Sequence, residues 1–387
     1  MQIKQVVDDT TKKEFTDLPW KIYQNDPNWI PHLKQDIEKV FDPQQNKAHA
    51  NGKIIRWILQ DANEQTIGRI AAFIDYATAN TFEQPTGGIG FFECIDSREA
   101  AFKLFDTAKD WLQEQGMEAM DGPINFGEKN MFWGLLTENF TDPNSYGMNY
   151  NPPYYHTFFE DYGFQVYYNQ YMYKRKTGIP VQDSFVEKSE RIMSRKGYAI
   201  RNAQGMSIED IAMNFREVYN NAWGGHNNFQ DMNTKTAMKI VKQLQPVFDK
   251  EIIIFVFYNN KPIAFYVNIP ELNEIFRYVN GNLNWWGKLI FLYHKWRRTP
   301  QTMVGIVFGV DRKFQGKGVE AAMIKWAEDH VVSLGRYSET VLTWIGDFNP
   351  KMLKICENLG ATVYRSYATY RYLFDRSKPF ERCPIME

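Results

Sequence analysis

The residues of this chain best suited to chemistry sit in one short run, Asp311-Arg-Lys-Phe-Gln-Gly-Lys-Gly-Val-Glu320. Gly316 and Gly318 can take positive φ and let a ligand approach the backbone, which side chains would block. A helical apolar pattern starts directly after them. Its first N–H groups point outward unpaired and its dipole favours negative charge, so the turn can seat a phosphate or diphosphate. Lys313 and Lys317 add cations nearby. Glu320 works against this: a carboxylate in the first turn suits the helix but repels a neighbouring diphosphate unless it turns away. The groups able to move a proton lie elsewhere: the Cys356 thiol, Asp347 just past a strand, His226 within AWGGHNNFQ, and Glu271 or Glu274. Histidine is the easier base at neutral pH. A lone His among glycines and asparagines is more often a solvated loop residue.

These residues need elements to hold them, and the chain supplies the same series twice. In the first half KIIRWILQ and TIGRIAAFIDY read as strands around a DANEQ turn. GGIGFFECID then leads into a helix capped by Asp96 or Ser97, with Ala101, Leu104, Phe105, Ala108, Trp111 and Leu112 on one face and Gly116 as its stop. In the second half KEIIIFVFYN and KPIAFYVNIP form a hairpin. TMVGIVFGVD is the next strand, and VEAAMIKWAEDHVVSLG is a helix with Ala322, Ile324, Trp326, Ala327, Val331 and Leu334 inward. Each half closes with a strand (EAMDGPIN; ETVLTWIG), a helix ending in glycine (YYHTFFEDYGF; NPKMLKICENLGA) and an aromatic strand (QVYYNQYMYKR; TVYRSYATYRYLF). Glu99-Ala-Ala101 echoes Glu320-Ala-Ala322. The repeat predicts two similar α/β domains joined within KTGIPVQDSFVEKSE. Between the third and fourth strands of the second half, ELNEIFRYVNGNLNWWGKLIFLYHKWRR is long for a connection and predicts a helix of its own. Its rings suit a lid, an apolar wall, an interfacial membrane contact or a core helix, and lid is the functional choice. MNYNPPYYHTFF reads as aromatic packing at a helix start, or as a pocket wall.

The totals exclude several classes. Forty-five basic against 46 acidic residues leave no global field for nucleic acid. Cys94, Cys356 and Cys383 show no zinc spacing, and a reduced, cytoplasmic setting is expected. No run of about 18 apolar residues predicts a membrane span, and MQIKQVVDDTTKKEF lacks the core of a signal peptide.

Gln315-Gly316-Lys317-Gly318-Val319-Glu320 resembles the Gln/Arg-x-x-Gly-x-Gly/Ala turn after the fourth strand of the GNAT (GCN5-related) acyl-CoA N-acyltransferases. The resemblance covers residues 195 to 375 strongly and 1 to 175 weakly, and is closest to poorly characterised bacterial two-domain members. It implies two GNAT-like domains, each a mixed, mostly antiparallel sheet flanked by helices: residues 1–180, degenerate, and 190–387, carrying the acyl-CoA loop. It further implies that acetyl-CoA or another acyl-CoA is held by Phe308, Gly309, Val310, Lys313, Gln315, Gly316, Lys317, Gly318, Val319 and Asn349. Asn349-Pro-Lys-Met-Leu-Lys-Ile-Cys356-Glu-Asn-Leu-Gly360-Ala361 fits the family's Asn-x-x-Ala-x-x-x-Tyr-x-x-x-Gly-Phe, with Cys356 in place of the tyrosine that acts as acid for the leaving thiolate. Cys356 is then either a matched proton donor or a small buried residue, as most free cysteines are. Phe159, its counterpart in the first half, moves no proton. Cys356, Asp347 and His226 are the catalytic candidates, since the fourth strand, Thr302 to Val310, lacks the carboxylate that relatives often place there.

The expected function is acyl transfer from acyl-CoA to a small-molecule amine or an aminoacyl acceptor. The alternatives are a non-catalytic acyl-CoA-binding or scaffolding protein, and an aminoacyl-tRNA-dependent, Fem-like transferase of related duplicated fold, for which the neutral charge provides no tRNA footprint. No metal site and no nucleic-acid partner are expected.

Overall fold

The computed structural model describes residues 1–81, 83–224 and 231–386. The first half runs β1 (Gln2–Gln5), α1 (Asp9–Ile22), α2 (Lys34–Phe41), β2 (Gly52–Gln60), β3 (Thr66–Asp75), β4 (Thr86–Cys94), α3 (Arg98–Glu114), β5 (Ala119–Gly122), β6 (Leu135–Glu138), α4 (Tyr154–Tyr162) and β7 (Gln165–Lys176). After α5 (Asp183–Met193) come β8 (Tyr198–Asn202), α6 (Ile208–Trp223), α7 (Thr234–Leu244), β9 (Ile253–Tyr258), β10 (Lys261–Pro270), α8 (Asn273–Phe276), α9 (Trp285–Trp296), β11 (Thr302–Val310), α10 (Val319–Leu334), β12 (Glu339–Gly346), α11 (Pro350–Asn358) and β13 (Thr362–Leu373).

Local chemistry accounts for most boundaries. Ser97 caps α3 by accepting from the Ala100 N–H, and Gly116 ends the helix region in the left-handed conformation. Asn259 and Asn260 both have positive φ, the backbone of a tight turn whose twist matches the β9–β10 hairpin. The expected inward face of α3 is buried, Trp111 only partly.

The two halves do not complete their own sheets. One 13-stranded sheet runs β1-β2-β3-β4-β5-β13-β7-β12-β11-β10-β9-β8, with β6 paired beside β13. The last strand of each half has crossed over: β13 pairs with β5 of the first half, β7 pairs with β12 of the second, and the two crossed strands pair with each other. Each crossing is pinned by an arginine. Arg371 on β13 forms a two-pronged pair with Asp121 on β5, Nε to Oδ1 at 2.6 Å and Nη2 to Oδ2 at 2.8 Å. Arg175 on β7 pairs with Glu328 of α10 and donates from Nε to the Leu359 carbonyl at 2.8 Å. A shared core of Leu136, Met148 and Met172 with Leu272, Val304 and Val341 joins the halves, so they form one packed body.

The stretch read as a linker, residues 176–190, becomes in part α5. Phe185 and Ile192, seven residues apart and so on one face, are both buried and pack on α10 through Ile324 and Ala322 respectively. Proline, glycine and charge conceal this helix because it needs only one buried stripe.

Candidate functional site

β11 and β12 are the site's frame. They pair in parallel only from Thr302–Glu339 to Gly305–Leu342, after which β11 continues to Val310 beside β10 alone. On β12 the register against β7 slips between Leu342 and Ile345, and Trp344 there has φ of 65°. Positive φ at a bulky residue bends a strand, and the two strands part. The gap opens into a cavity of about 830 Å³, a volume in the range of small-ligand sites. Ile306 and Phe308 of β11, Trp344 of β12 and Met352 of α11 line it, and Tyr146 and Met148 reach in from the first half.

The glycine turn lies where β11 ends and α10 begins. Gly316 has φ of 69° and Gly318 of 96°, and a side chain at Gly316 would meet no atom within 4 Å. Gly318 is the N-cap of α10, with no side chain capping the helix, so the helix keeps its anion-seeking end. Gln315 ties the turn down, its amide donating to the Val310 carbonyl at 2.9 Å. Glu320 bends back over the turn: its Oε1 accepts the Gly316 N–H at 3.2 Å. The carboxylate therefore takes one of the donors a diphosphate would use. Arg191 of α5 brings its guanidinium close to Gly318, where Lys188 packs through its Cβ, adding a charge that no local pattern near the turn announced.

Three ionisable groups that line the cavity have raised pKa values: Tyr146, whose hydroxyl donates to Asp36 Oδ2 at 2.7 Å, Tyr266 and Glu271. Tyr266 on β10 is 8% exposed. A methyl group at Gly305 would come within 3.1 Å of the Tyr266 hydroxyl, so the missing side chain makes room for the phenol where the strands part. Burial, then the proximity of Cys356 and Glu328, raises its pKa, and no hydrogen bond to its hydroxyl is formed by the described residues. Glu271, just past β10, is buried and lines the same cavity. Its Oε1 accepts the Tyr146 N–H at 2.9 Å and the Asn273 N–H at 3.0 Å. Burial raises its pKa, and those two N–H groups pull it back in part.

In the first half the matching gap is filled. β4 and β5 pair over Thr86–Gly88 with Ala119–Asp121. Beyond that, Ile89 accepts the Ile124 N–H at 2.7 Å, and the Tyr155 and Tyr154 hydroxyls satisfy the Cys94 N–H and carbonyl at 2.7 and 2.9 Å. The tyrosines of NPPYYH thus close a cleft that the second half leaves open, and α3 begins behind its Ser97 cap without a glycine turn.

No model of a protein family matches the chain. It is 27% identical over 373 residues to the bacterial ceramide synthase of Caulobacter vibrioides, covering 92% of this chain and 94% of that protein. It is 25% identical over 365 residues to Protein YghO of Escherichia coli, covering 92% of each. Among solved structures, a tandem GNAT protein from the clavulanic acid biosynthesis pathway superposes over 97% of this chain and 99% of its own, at 9% identity and a TM-score of 0.54. A GCN5-related glucosamine N-acetyltransferase region of a fungal multi-domain β-N-acetylglucosaminidase superposes over 96% of this chain and 38% of that one, at 12% identity and a TM-score of 0.55. The chain has a tandem GNAT fold.

Within this tandem GNAT fold the sequence candidates separate. Phe308 and Asn349 line the cavity, and Asn349 also caps α11 by accepting the Met352 N–H at 3.2 Å. Val310 and Val319 are buried beneath the turn, Gly309 faces the Trp223 ring, and Lys313 and Lys317 are exposed beside it. Cys356 is fully buried against Tyr173 and Ile345. Burial pushes its thiol up to about 12, and it is not among the cavity-lining residues. Asp347 is bound by Arg382 at 2.7 Å and Asn169 at 3.1 Å, also away from the lining. His226 lies outside the described residues. Tyr266 also lines the cavity; an isolated tyrosine in an apolar strand carries no local signal in the sequence. Among the described residues no group of His, Cys, Asp or Glu is gathered to hold a metal ion, and no helix is long and apolar enough to cross a membrane.

Proposed function

We propose that this protein is an acyl-CoA-dependent N-acyltransferase whose second half alone holds the donor, with an amine on a long apolar chain as acceptor. One observation carries the reading: of two gaps built on the same plan, only the one beside an uncapped glycine turn is open. The likeness over nearly the whole chain to a protein named ceramide synthase supports the choice of acceptor, since a ceramide is the amide of a long-chain amino alcohol. The apolar cavity wall supports it too.

A bound acyl-CoA would supply the acyl group as a thioester. The residues fit it: the backbone of Gly316 to Val319 would hold the diphosphate, with Lys313, Lys317 and Arg191 neutralising charge. The apolar residues Ile306, Phe308 and Met352 exclude water from the cavity. Tyr266 Oη would donate a proton to the departing sulfur. Its raised pKa keeps that proton in place at neutral pH. Glu271, buried at the cavity with its pKa raised, would take the proton from the amine nitrogen.

Glu320 is the observation that favours a second, binding-only reading, because it competes for the Gly316 N–H. Thermal unfolding with free CoA, acetyl-CoA and a long-chain acyl-CoA, followed by thiol release with a panel of short and long-chain amines, separates the readings. Donor that binds the native state must raise the melting temperature by mass action. Stabilisation with thiol release supports the transferase, stabilisation without it the binding protein, and neither result at millimolar ligand rejects both.

Replacing Glu320 with Ala is expected to tighten CoA binding roughly fivefold, about 1 kcal/mol, by removing a like charge and freeing the Gly316 N–H. Calorimetry of the two proteins reads this directly. Unchanged affinity would mean the carboxylate gives way at no cost.

A further inference from the structure

α9 carries an apolar face that nothing in the fold covers. Trp285, Trp286, Leu289, Leu292, Tyr293 and Trp296 lie within an arc of about 120° at 100° per residue. All six are exposed, Trp286 by 67%, Leu292 by 58% and Trp296 by 79%. The other side of the helix is the docked one. Ile290 and Phe291 pack into the core that contains Leu272 and Phe276, so α9 is fixed to the body with its rings outward. Among the described residues, none from α9 lines the cavity. The expectation of a lid or a core helix therefore does not describe this face.

Its charge indicates the partner. From Ile275 to Pro300 the sequence has five cations, Arg277, Lys288, Lys295, Arg297 and Arg298, and no carboxylate, in a protein of net charge −1. The nearest acid, Glu274, is occupied by the Gln301 and Thr302 N–H groups at 2.6 and 3.2 Å. Lys288 and Lys295 fall on the flank of the apolar arc at helical spacing; Lys288 is exposed, while Lys295 Nζ donates to the Pro246 carbonyl. Tryptophan and tyrosine bodies bordered by basic side chains are the composition of a helix lying in a bilayer's headgroup region.

We propose that α9 docks this protein flat onto an anionic phospholipid bilayer, its rings entering the headgroup layer and its cations pairing with lipid phosphates. The proposal rests on this surface alone and does not need the acyl-transfer reading. Ile269, Leu272 and Val304 line the cavity and belong to the same core as Ile290 and Phe291, so docking would place the cavity wall one packing layer from the lipid.

The test is flotation of the full-length protein with vesicles of phosphatidylcholine alone and of phosphatidylcholine mixed with phosphatidylglycerol, with tryptophan emission and sedimentation equilibrium in parallel. Binding to the anionic vesicles, weakened by salt and accompanied by a blue shift, is expected. The variant Trp285→Ser/Trp286→Ser/Trp296→Ser should lose about tenfold or more in vesicle affinity. Lys288→Gln and Arg298→Gln should each lose about fivefold, all with unchanged circular dichroism because these side chains are exposed. Absence of vesicle binding by the wild type overturns the proposal. A dimer that the tryptophan variant dissociates, with no vesicle binding, would assign the face to a second copy and overturn it equally.

Discussion

Tyr266→Phe is expected to lower kcat about a hundredfold, close to 3 kcal/mol of barrier, with the KM for acyl donor changed by less than about threefold. The hydroxyl forms no hydrogen bond among the described residues, so its removal orphans nothing. The ring keeps its edge-on contact with Phe308, centroids 5.8 Å apart. A stability loss is therefore not expected, and unfolding of the variant should match the wild type. The pH profile carries a second signature. Burial and neighbouring negative charge raise the phenol's pKa, so it stays protonated as pH rises through about 10, where an ordinary tyrosine ionises. Wild-type activity should show no alkaline loss from this group below that pH. A variant within threefold of wild-type kcat would remove Tyr266 from the proton path and leave direct transfer by positioning alone.

Asp121→Asn should destabilise the folded protein by about 3–5 kcal/mol, because it leaves the Arg371 guanidinium buried without its counter-charge. Arg371 is 5% exposed and Asp121 7%. Burial alone would lower the arginine's pKa, but hydrogen bonding and charge from Asp121 carry it above the ordinary value. The pair joins β5 to β13 in direct register, so weakening it weakens the crossing of the chain's last strand into the first half. Urea unfolding reads the loss, with Glu357→Gln as control. Glu357 pairs with Lys354 at 3.2 Å, and these side chains are 58% and 69% exposed, a setting in which an ion pair contributes under about 1 kcal/mol. Equal effects of the two substitutions would show that the crossing does not depend on the buried pair.

The turn was readable because each of its requirements is local. Positive φ at Gly316 and Gly318, an uncapped helix start and nearby lysines are properties of adjacent residues. The inward face of α3 was readable for the same reason, since helical spacing maps sequence onto one side. Cys356 was legible only as an ambiguity: the same helix position serves a proton donor or a buried small residue, and spacing does not report the burial found there. Asp347 looked available until Arg382, 35 residues away in sequence, took its carboxylate at 2.7 Å. Tyr266 and Glu271 enter the cavity only because β11 and β12 part beside them.

The chain's succession of strands and helices, its tandem plan and the place of the glycine turn were legible in sequence alone, through short-range pattern and backbone chemistry. The exchange of β7 and β13 was not. Both are twelve-residue strands at the end of like halves, and each offers the backbone groups and alternating rings that either sheet needs, so local preference is nearly equal for home and crossed pairing. Contacts far apart in sequence break the tie: Arg371 with Asp121 and Arg175 with Glu328. The same long-range packing closed one gap with Ile124 and the Tyr154–Tyr155 pair and left the other open, so among the described residues the candidate site is the gap between β11 and β12.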